Sequence, residues 1–114
     1  MKLKIVFITL ISVVIASCSA TKNTTTTTNG ITYTKDIKPI IDAQCGMKCH
    51  NADRPADGIE LTTYASVKEQ SVNGKLIPAI QQVEGAEPMP KKNPKLDDAS
   101  IQKIVDWVAG GAVE

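Results

Sequence analysis

The chain has 114 residues, with 13 basic and 12 acidic side chains and a formal net charge of +1. This near-neutral balance argues against nucleic acid as a partner, because nucleic-acid-binding domains carry clustered positive charge. The length suffices for one domain. Only three cysteines and one histidine are available for metal or covalent chemistry, so candidate functional positions are few.

The N-terminus has the pattern of an export signal. Lys2 and Lys4 precede an apolar run over residues 5–16, which is typical of a signal peptide. The run is too short to span a membrane, since a spanning helix needs about 20 apolar residues. It ends at Ser17-Cys18, which resembles the lipobox of bacterial lipoproteins.

The lipobox resemblance implies that residues 1–17 are removed and that Cys18 is lipidated. We therefore expect a periplasmic protein of the cell envelope, lipid-anchored to the outer or inner membrane. More than one acyl chain is needed for stable anchoring, and lipoproteins carry two or three. The alternative is an ordinary secretory signal in which Cys18 is incidental.

Residues 18–32 are expected to form the lipidated start and a flexible tether. Residues 19–30 are rich in threonine and contain no large apolar side chain, so they cannot bury enough surface to offset the entropy of ordering. The folded domain is predicted to cover residues 33–114. Loss of the signal peptide removes two lysines and no acid, so the net charge falls from +1 to −1.

The domain is predicted to begin with a helix. Thr34 or Asp36 is a suitable N-cap, and Pro39 favours a start near Asp36 because proline is tolerated in a first helical turn. The helix is expected to end at Gln44. Three isoleucines share its apolar face: Ile37, Ile40 and Ile41.

A cysteine–histidine motif follows, Cys45-Gly46-Met47-Lys48-Cys49-His50. Covalent haem attachment normally uses Cys-x-x-Cys-His, in which the cysteines form thioethers and the histidine binds iron. Three residues separate the cysteines here, a longer spacing that is a recognised variant in c-type cytochromes. We expect Gly46 to help the extra residue loop out, because glycine adopts backbone conformations that other residues avoid.

Three other interpretations of the motif remain. Cys45 and Cys49 could form a disulfide in an oxidising exported compartment. They could bind zinc with His50, although a structural zinc site needs four ligands and the chain has no further histidine. They could be redox-active thiols, although the thioredoxin-like motif has two intervening residues and lies beside a βαβ pattern.

The middle of the domain is predicted to form two short helices, over residues 62–68 and 77–83. Gly74, Pro78 and Gly85 interrupt longer helical runs. No stretch alternates as a strand would. The fold class is therefore predicted to be all-α.

A methionine between two prolines follows, and it is the remaining candidate for a second axial iron ligand. Met1 leaves with the signal peptide and Met47 lies inside the cysteine motif. Met89 remains, flanked by Pro88 and Pro90, which restrict the backbone and exclude regular structure. A methionine in a loop is otherwise usually a gap-filler in a core.

The last predicted element is an amphipathic helix. Asp97 or Asp98 is its N-cap, and Gly110 and Gly111 end it. Trp107 is expected at the edge of the apolar stripe as a core residue rather than as a direct cofactor contact. The stripe has helical spacing: Ile101, Ile104, Val105 and Val108.

Five segments together resemble a known family: residues 33–40, 45–50, 58–61, 88–90 and 104–112. They are similar to the monohaem class I cytochrome c superfamily, most closely to the planctomycete-type cytochrome c domains, which also occur as single-domain lipoproteins. The resemblance covers nearly all of residues 33–114. It implies three to five helices around one covalent haem c, with the first and last helices packed crosswise. The three-residue spacing is its one mismatch.

The resemblance also implies residue roles. Cys45 and Cys49 would carry the thioether bonds, with His50 as the proximal and Met89 as the distal iron ligand. With both axial positions filled, the chain is expected to be an electron carrier between redox proteins rather than an enzyme, and no small-molecule substrate is expected.

Several residues near the motif are expected to support it. A ligating histidine usually donates its second ring N–H to an oxygen, and the Pro55 carbonyl is the candidate for His50. Arg54 could pair with a haem propionate or be a solvated surface residue. Three lysines are expected around the haem edge, facing an acidic redox partner or merely keeping the loop soluble: Lys91, Lys92 and Lys95.

Two rival functions remain open. A haem-based sensor or a peroxidase-like subunit would need Met89 to leave the iron. A haem-free lipoprotein stapled by a Cys45–Cys49 disulfide would have no redox role.

The lipobox prediction can be tested at its cysteine. Cys18→Ala should release the domain from membranes without changing its haem spectrum, because the tether contributes nothing to the core. Membrane fractionation followed by a visible spectrum of the released protein measures both outcomes. A variant that still fractionates with membranes would mean that the lipobox prediction is wrong, or that a protein partner holds the domain.

Overall fold

The computed structural model describes residues 30–114, so the predicted signal peptide, Cys18 and most of the tether lie outside the described residues. Helices joined by turns make up the described part, which contains no strand. The all-α fold class is therefore confirmed. No helix within this part is long and apolar enough to cross a membrane.

The first helical segment covers residues 33–46 and mixes two hydrogen-bonding patterns. A π-helical turn at Tyr33–Ile37 leads into α1 (Lys38–Ile41), and a second π-helical turn follows at Asp42–Gly46. We call the whole of residues 33–46 the N-terminal segment. Its last turn carries Cys45.

The N-terminal segment begins earlier than the sequence predicts. Its N-cap is Thr32, whose side chain accepts a hydrogen bond from the Lys35 N–H, and the Asp36 carboxylate accepts one from the Thr32 N–H at 3.0 Å. Thr34 and Asp36 were wrong as caps, because the Thr32 side chain caps the first turn and the Asp36 carboxylate instead satisfies the N–H of Thr32 itself.

Pro39 does not mark the first turn of this segment. In an α-helix a proline has no N–H to donate, and its ring clashes with the carbonyl four residues earlier. Here the preceding N–H, of Lys38, bonds to the Tyr33 carbonyl five residues back. This wider turn, of the π type that occurs inside helices, allows the chain to stay helical through the proline.

The two short helices of the middle region are present, with shifted bounds. They are α2 (Tyr64–Val72), which begins with a capping box between Thr63 and Ser66, and α3 (Leu76–Gln81). A 3₁₀ turn at Ala56–Gly58 precedes them. Pro78 lies inside α3 rather than interrupting it, because the first-turn N–H that it lacks would have no partner within the helix.

The last helix, α4 (Asp98–Ala109), matches its prediction closely. Asp97 is the N-cap and accepts a hydrogen bond from the Ser100 N–H at 2.9 Å. Bonds from the Ser100 hydroxyl and N–H hold the pKa of Asp97 below its usual value. The helix ends at Gly110.

The core lies where the N-terminal segment and α4 pack together. Trp107 is 1% exposed, with its ring centroid 6.0 Å from that of Tyr33. It is a core residue, as predicted, but it lies fully inside rather than at the edge of the stripe. The chain end closes the core, because the Trp107 indole N–H donates to the Val113 carbonyl at 2.7 Å and Tyr33 N–H donates to the same carbonyl at 3.0 Å.

Candidate cofactor site

A cavity of about 800 Å³ opens between the cysteine motif and the part of the chain that contains Met89. Cys45, Cys49, His50 and Met89 all line it. The structure thus brings together residues from two separate parts of the chain. The apolar lining includes side chains from the core and from α3: Ile59, Leu61, Leu76, Pro78, Ala79 and Ile80.

The cysteine motif continues the helical course of the N-terminal segment. The Cys45 carbonyl accepts hydrogen bonds from the Cys49 N–H at 3.4 Å and from the His50 N–H at 3.0 Å. Residues four apart on a helical turn lie on the same side. The three-residue spacing therefore brings both cysteines to the same cavity.

The two thiols have different environments. Both are free, but Cys45 is buried and Cys49 is exposed. Burial, with a smaller contribution from the nearby Cys49, raises the pKa of the Cys45 thiol to about 11. Cys45 is therefore protonated at neutral pH and behaves as a small apolar side chain.

Gly46 has a different role from the one predicted. It lies in the last π-helical turn and is buried rather than looped out. A Cβ at this position would meet the Leu61 carbonyl oxygen at 3.0 Å. Glycine is therefore required because another backbone segment approaches closely at this position. The prediction that the conformational freedom of Gly46 accommodates the extra residue of the motif was wrong.

The orientation of His50 is fixed by a backbone carbonyl, although not the predicted one. His50 is buried, and its Nδ1 lies 2.7 Å from the Ile59 carbonyl oxygen. A carbonyl can only accept, so Nδ1 carries the proton and Nε2 keeps its lone pair. Pro55 was wrong because its carbonyl accepts instead from the Gly58 N–H at 3.1 Å.

The segment from residue 51 to residue 60, here called the motif loop, turns back sharply to bring Ile59 to the histidine. Asp57 and Gly58 both have positive φ, at 54° and 71°. The Leu61 N–H then donates to the His50 carbonyl at 2.8 Å. Sequence reasoning missed Ile59, although an Asp-Gly pair is a turn signal that could have indicated where the chain reverses.

Met89 is half-buried and also lines the cavity, in a stretch of residues 83–95 that we call the methionine loop. Its N–H donates to the Ala79 carbonyl of α3 at 3.0 Å, and the Met89–Pro90 peptide bond is cis. Met47 is 74% exposed and is not among the residues that line the cavity. The geometry agrees with the elimination of Met47 as a candidate ligand.

Charged side chains stand at the cavity mouth. The Lys91 ammonium lies 2.7 Å from a Glu87 carboxylate oxygen and 3.8 Å from an Asp57 carboxylate oxygen. These partners, Glu87 first, raise the pKa of Lys91. The pair with Asp57 joins the methionine loop to the motif loop. Sequence reasoning missed both acids.

Four further basic residues divide into two groups. Lys75 and Lys92 line the cavity and Lys95 and Arg54 do not, although all four are exposed. Of the three lysines expected around the mouth, two therefore line it. For Arg54, the geometry favours the solvated surface interpretation over pairing with a bound group.

No group of three or more histidine, cysteine or acidic side chains that could hold a metal ion occurs within residues 30–114. The site can therefore be described as two thiols, one imidazole and one thioether around an apolar cavity. No family model, curated protein or solved structure matches the chain.

The unequal environments of the two thiols predict unequal alkylation in the reduced, haem-free chain. At pH 8, iodoacetamide should modify Cys49 at least tenfold faster than Cys45. A thiol with a pKa of about 11 is only about one part in a thousand thiolate at that pH, and the thiolate is the reactive form. Modification of Cys45 should accelerate as the pH rises towards 11.

Peptide mass spectrometry distinguishes the two sites and also separates them from Cys18. Cys45→Ser and Cys49→Ser variants assign each modified peptide. Equal rates at the two positions would contradict the buried environment of Cys45. Modification only after reduction would favour the disulfide interpretation of the motif.

Proposed function

We propose that the chain is a monohaem c-type cytochrome, lipid-anchored in the cell envelope, that transfers single electrons between redox proteins. The observation that carries this proposal is the meeting of Cys45, Cys49, His50 and Met89 at one cavity. A structural domain held by a disulfide would not need a methionine and an oriented histidine at the same largely apolar cavity.

The residues fit a haem by their chemistry. A volume of about 800 Å³ is within the range of about 300–1,000 Å³ for cofactor pockets. The Ile59 carbonyl holds Nδ1 of His50, so Nε2 is the nitrogen left to bind iron. Cys45 and Cys49 would form the two thioether bonds, and the Met89 sulfur would be the second axial ligand.

Bound haem would supply a one-electron iron couple whose potential is raised by histidine–methionine ligation. The chain itself supplies a largely apolar lining for the cavity. If His50 and Met89 both held the iron, no coordination position would be left for a substrate. This supports an electron carrier over a sensor or a peroxidase-like subunit.

The fold is compatible with a small cytochrome c-like arrangement. The N-terminal segment ends at the attachment motif and packs against α4, as the first and last helices of that superfamily would. This finer fold assignment belongs to the proposal. The same is true of the anchor, because Cys18 lies outside the described residues.

Covalent attachment is the direct test of the proposal. Haem should remain with the polypeptide on a denaturing gel, because two thioether bonds survive denaturation. The protein should be made in a host that matures other c-type cytochromes and accepts the longer motif. Colourless protein from such a host would contradict the proposal. A Cys45→Ser or Cys49→Ser variant should keep one weaker linkage with a shifted spectrum.

A second prediction concerns Met89. Met89→Ala should keep the haem attached, since the cysteines and His50 are unchanged. It should lower the reduction potential and raise the affinity of the oxidised protein for imidazole by at least about tenfold, because no internal thioether competes for the iron. A potentiometric titration and an imidazole titration measure these effects.

Met47→Ala is the matched control, because Met47 is an exposed methionine away from the cavity. It should leave both quantities unchanged. If Met89→Ala also changes neither, another group occupies the axial position, and Lys91 and Lys92 are the nearest candidates in sequence.

A further inference from the structure

Gln82 has a backbone conformation that its residue type does not favour. It follows α3 with φ 56° and ψ 43°, in the left-handed region. Side chains with a Cβ are disfavoured there, and helices that end in this conformation usually have glycine or asparagine at the position. The contacts of the Gln82 side chain explain why glutamine, rather than glycine, can occupy this position.

The Gln82 side chain binds the backbone of the candidate iron ligand. Its Nε2 donates to the Met89 carbonyl oxygen at 3.3 Å. The Met89 N–H in turn donates to the Ala79 carbonyl at 3.0 Å. Both backbone polar groups of Met89 are therefore held by the C-terminal end of α3.

The left-handed conformation places Gln82 where it can do this. Its own N–H bonds to the Ala79 carbonyl at 3.2 Å, the same oxygen that accepts from Met89. One carbonyl at the end of α3 thus anchors both the residue that ends the helix and the residue that faces the cavity. The Gln82 side chain then binds the other backbone polar group of Met89, its carbonyl oxygen.

We propose that Gln82 is a positioning residue for Met89, which holds the methionine loop closed over the cavity and so keeps the thioether on the iron. This inference rests on the proposed function, because it takes Met89 as the axial ligand. A competing ligand binds only when the loop is open, so its apparent affinity is reduced by the small open fraction. Loss of the Gln82 bond should raise that fraction.

The test uses the full-length oxidised holoprotein and imidazole as the competing ligand. Gln82→Gly removes the side-chain bond and also relieves the left-handed backbone. If Gln82 positions Met89, imidazole affinity should rise about threefold to tenfold, the effect of one typical hydrogen bond. The melting temperature should stay equal or rise, because glycine is preferred in this conformation.

A purely structural role for Gln82 gives a different result. Gln82→Gly would then change only the melting temperature, and imidazole affinity would remain that of the wild type. That outcome overturns the inference. If Gln82 does position Met89, imidazole affinity in Gln82→Gly rises without a loss of thermal stability.

A second variant keeps the size of the side chain. Gln82→Glu replaces the amide donor with a carboxylate, which can only accept and cannot bond to the Met89 carbonyl. Gln81→Glu is the matched control, since Gln81 is the exposed neighbour at the end of α3. Imidazole affinity should rise in Gln82→Glu and stay unchanged in Gln81→Glu, and equal effects in both would overturn the inference.

The two levels of the proposal fail in different ways. Wild-type protein without covalent haem overturns the proposed function and this inference with it. Wild-type protein that holds haem and resists imidazole, with Gln82 variants that resist it equally, overturns only the positioning role of Gln82.

Discussion

The Cys45 carbonyl is the acceptor on which the geometry of the motif depends. It receives the N–H groups of both Cys49 and His50, so the helical course of the N-terminal segment continues through the motif. An interval of four residues matches one helical turn. The longer cysteine spacing consequently needs no separate loop, because a hydrogen-bonded turn directly after Gly46 accommodates the additional residue.

The two candidate iron ligands are both held by backbone carbonyls. Ile59 holds the imidazole of His50, and Ala79 holds the N–H of Met89. The Ala79 carbonyl is available because the last carbonyls of a helix lack partners within it. Backbone acceptors do not depend on side-chain identity, which explains why neither Ile59 nor Ala79 stands out in the sequence as a site residue.

The features that the sequence predicted well are local ones. The helical spacing of α4, its Asp97 cap and the absence of strand-like alternation depend on neighbouring residues only, and each agrees with the structure. Met89 was selected by elimination among three methionines, and it lines the same cavity as Cys45, Cys49 and His50. A small number of candidates made that inference possible.

The misplaced N-cap at Thr32 is a local error, whereas the other errors about the site come from contacts that form only in the folded chain. Gly46 is required by the Leu61 carbonyl, and the acceptor of His50 is set by the reversal at Asp57 and Gly58. The contact at Gly46 has no periodic or compositional signal before the fold is known. The Asp57-Gly58 pair signals a turn, but it does not show which carbonyl the turn brings to His50. Lys91, Lys92 and Lys95 suggested a positive patch from their proximity in sequence, but that proximity did not include the acids that the fold brings to them.

Those acids change the electrostatics of the cavity mouth. Lys91 lies between Glu87 and Asp57, so these three groups together carry a net negative charge at neutral pH. Because all three are substantially exposed, their pairing adds little to stability, but it cancels the local positive field of Lys91. Positive charge at the mouth then comes from Lys75 and Lys92. The redox partner of the proposed function would therefore meet both positive and negative side chains at the cavity mouth. Electrostatic attraction between the two proteins would then depend on the side from which the partner approaches.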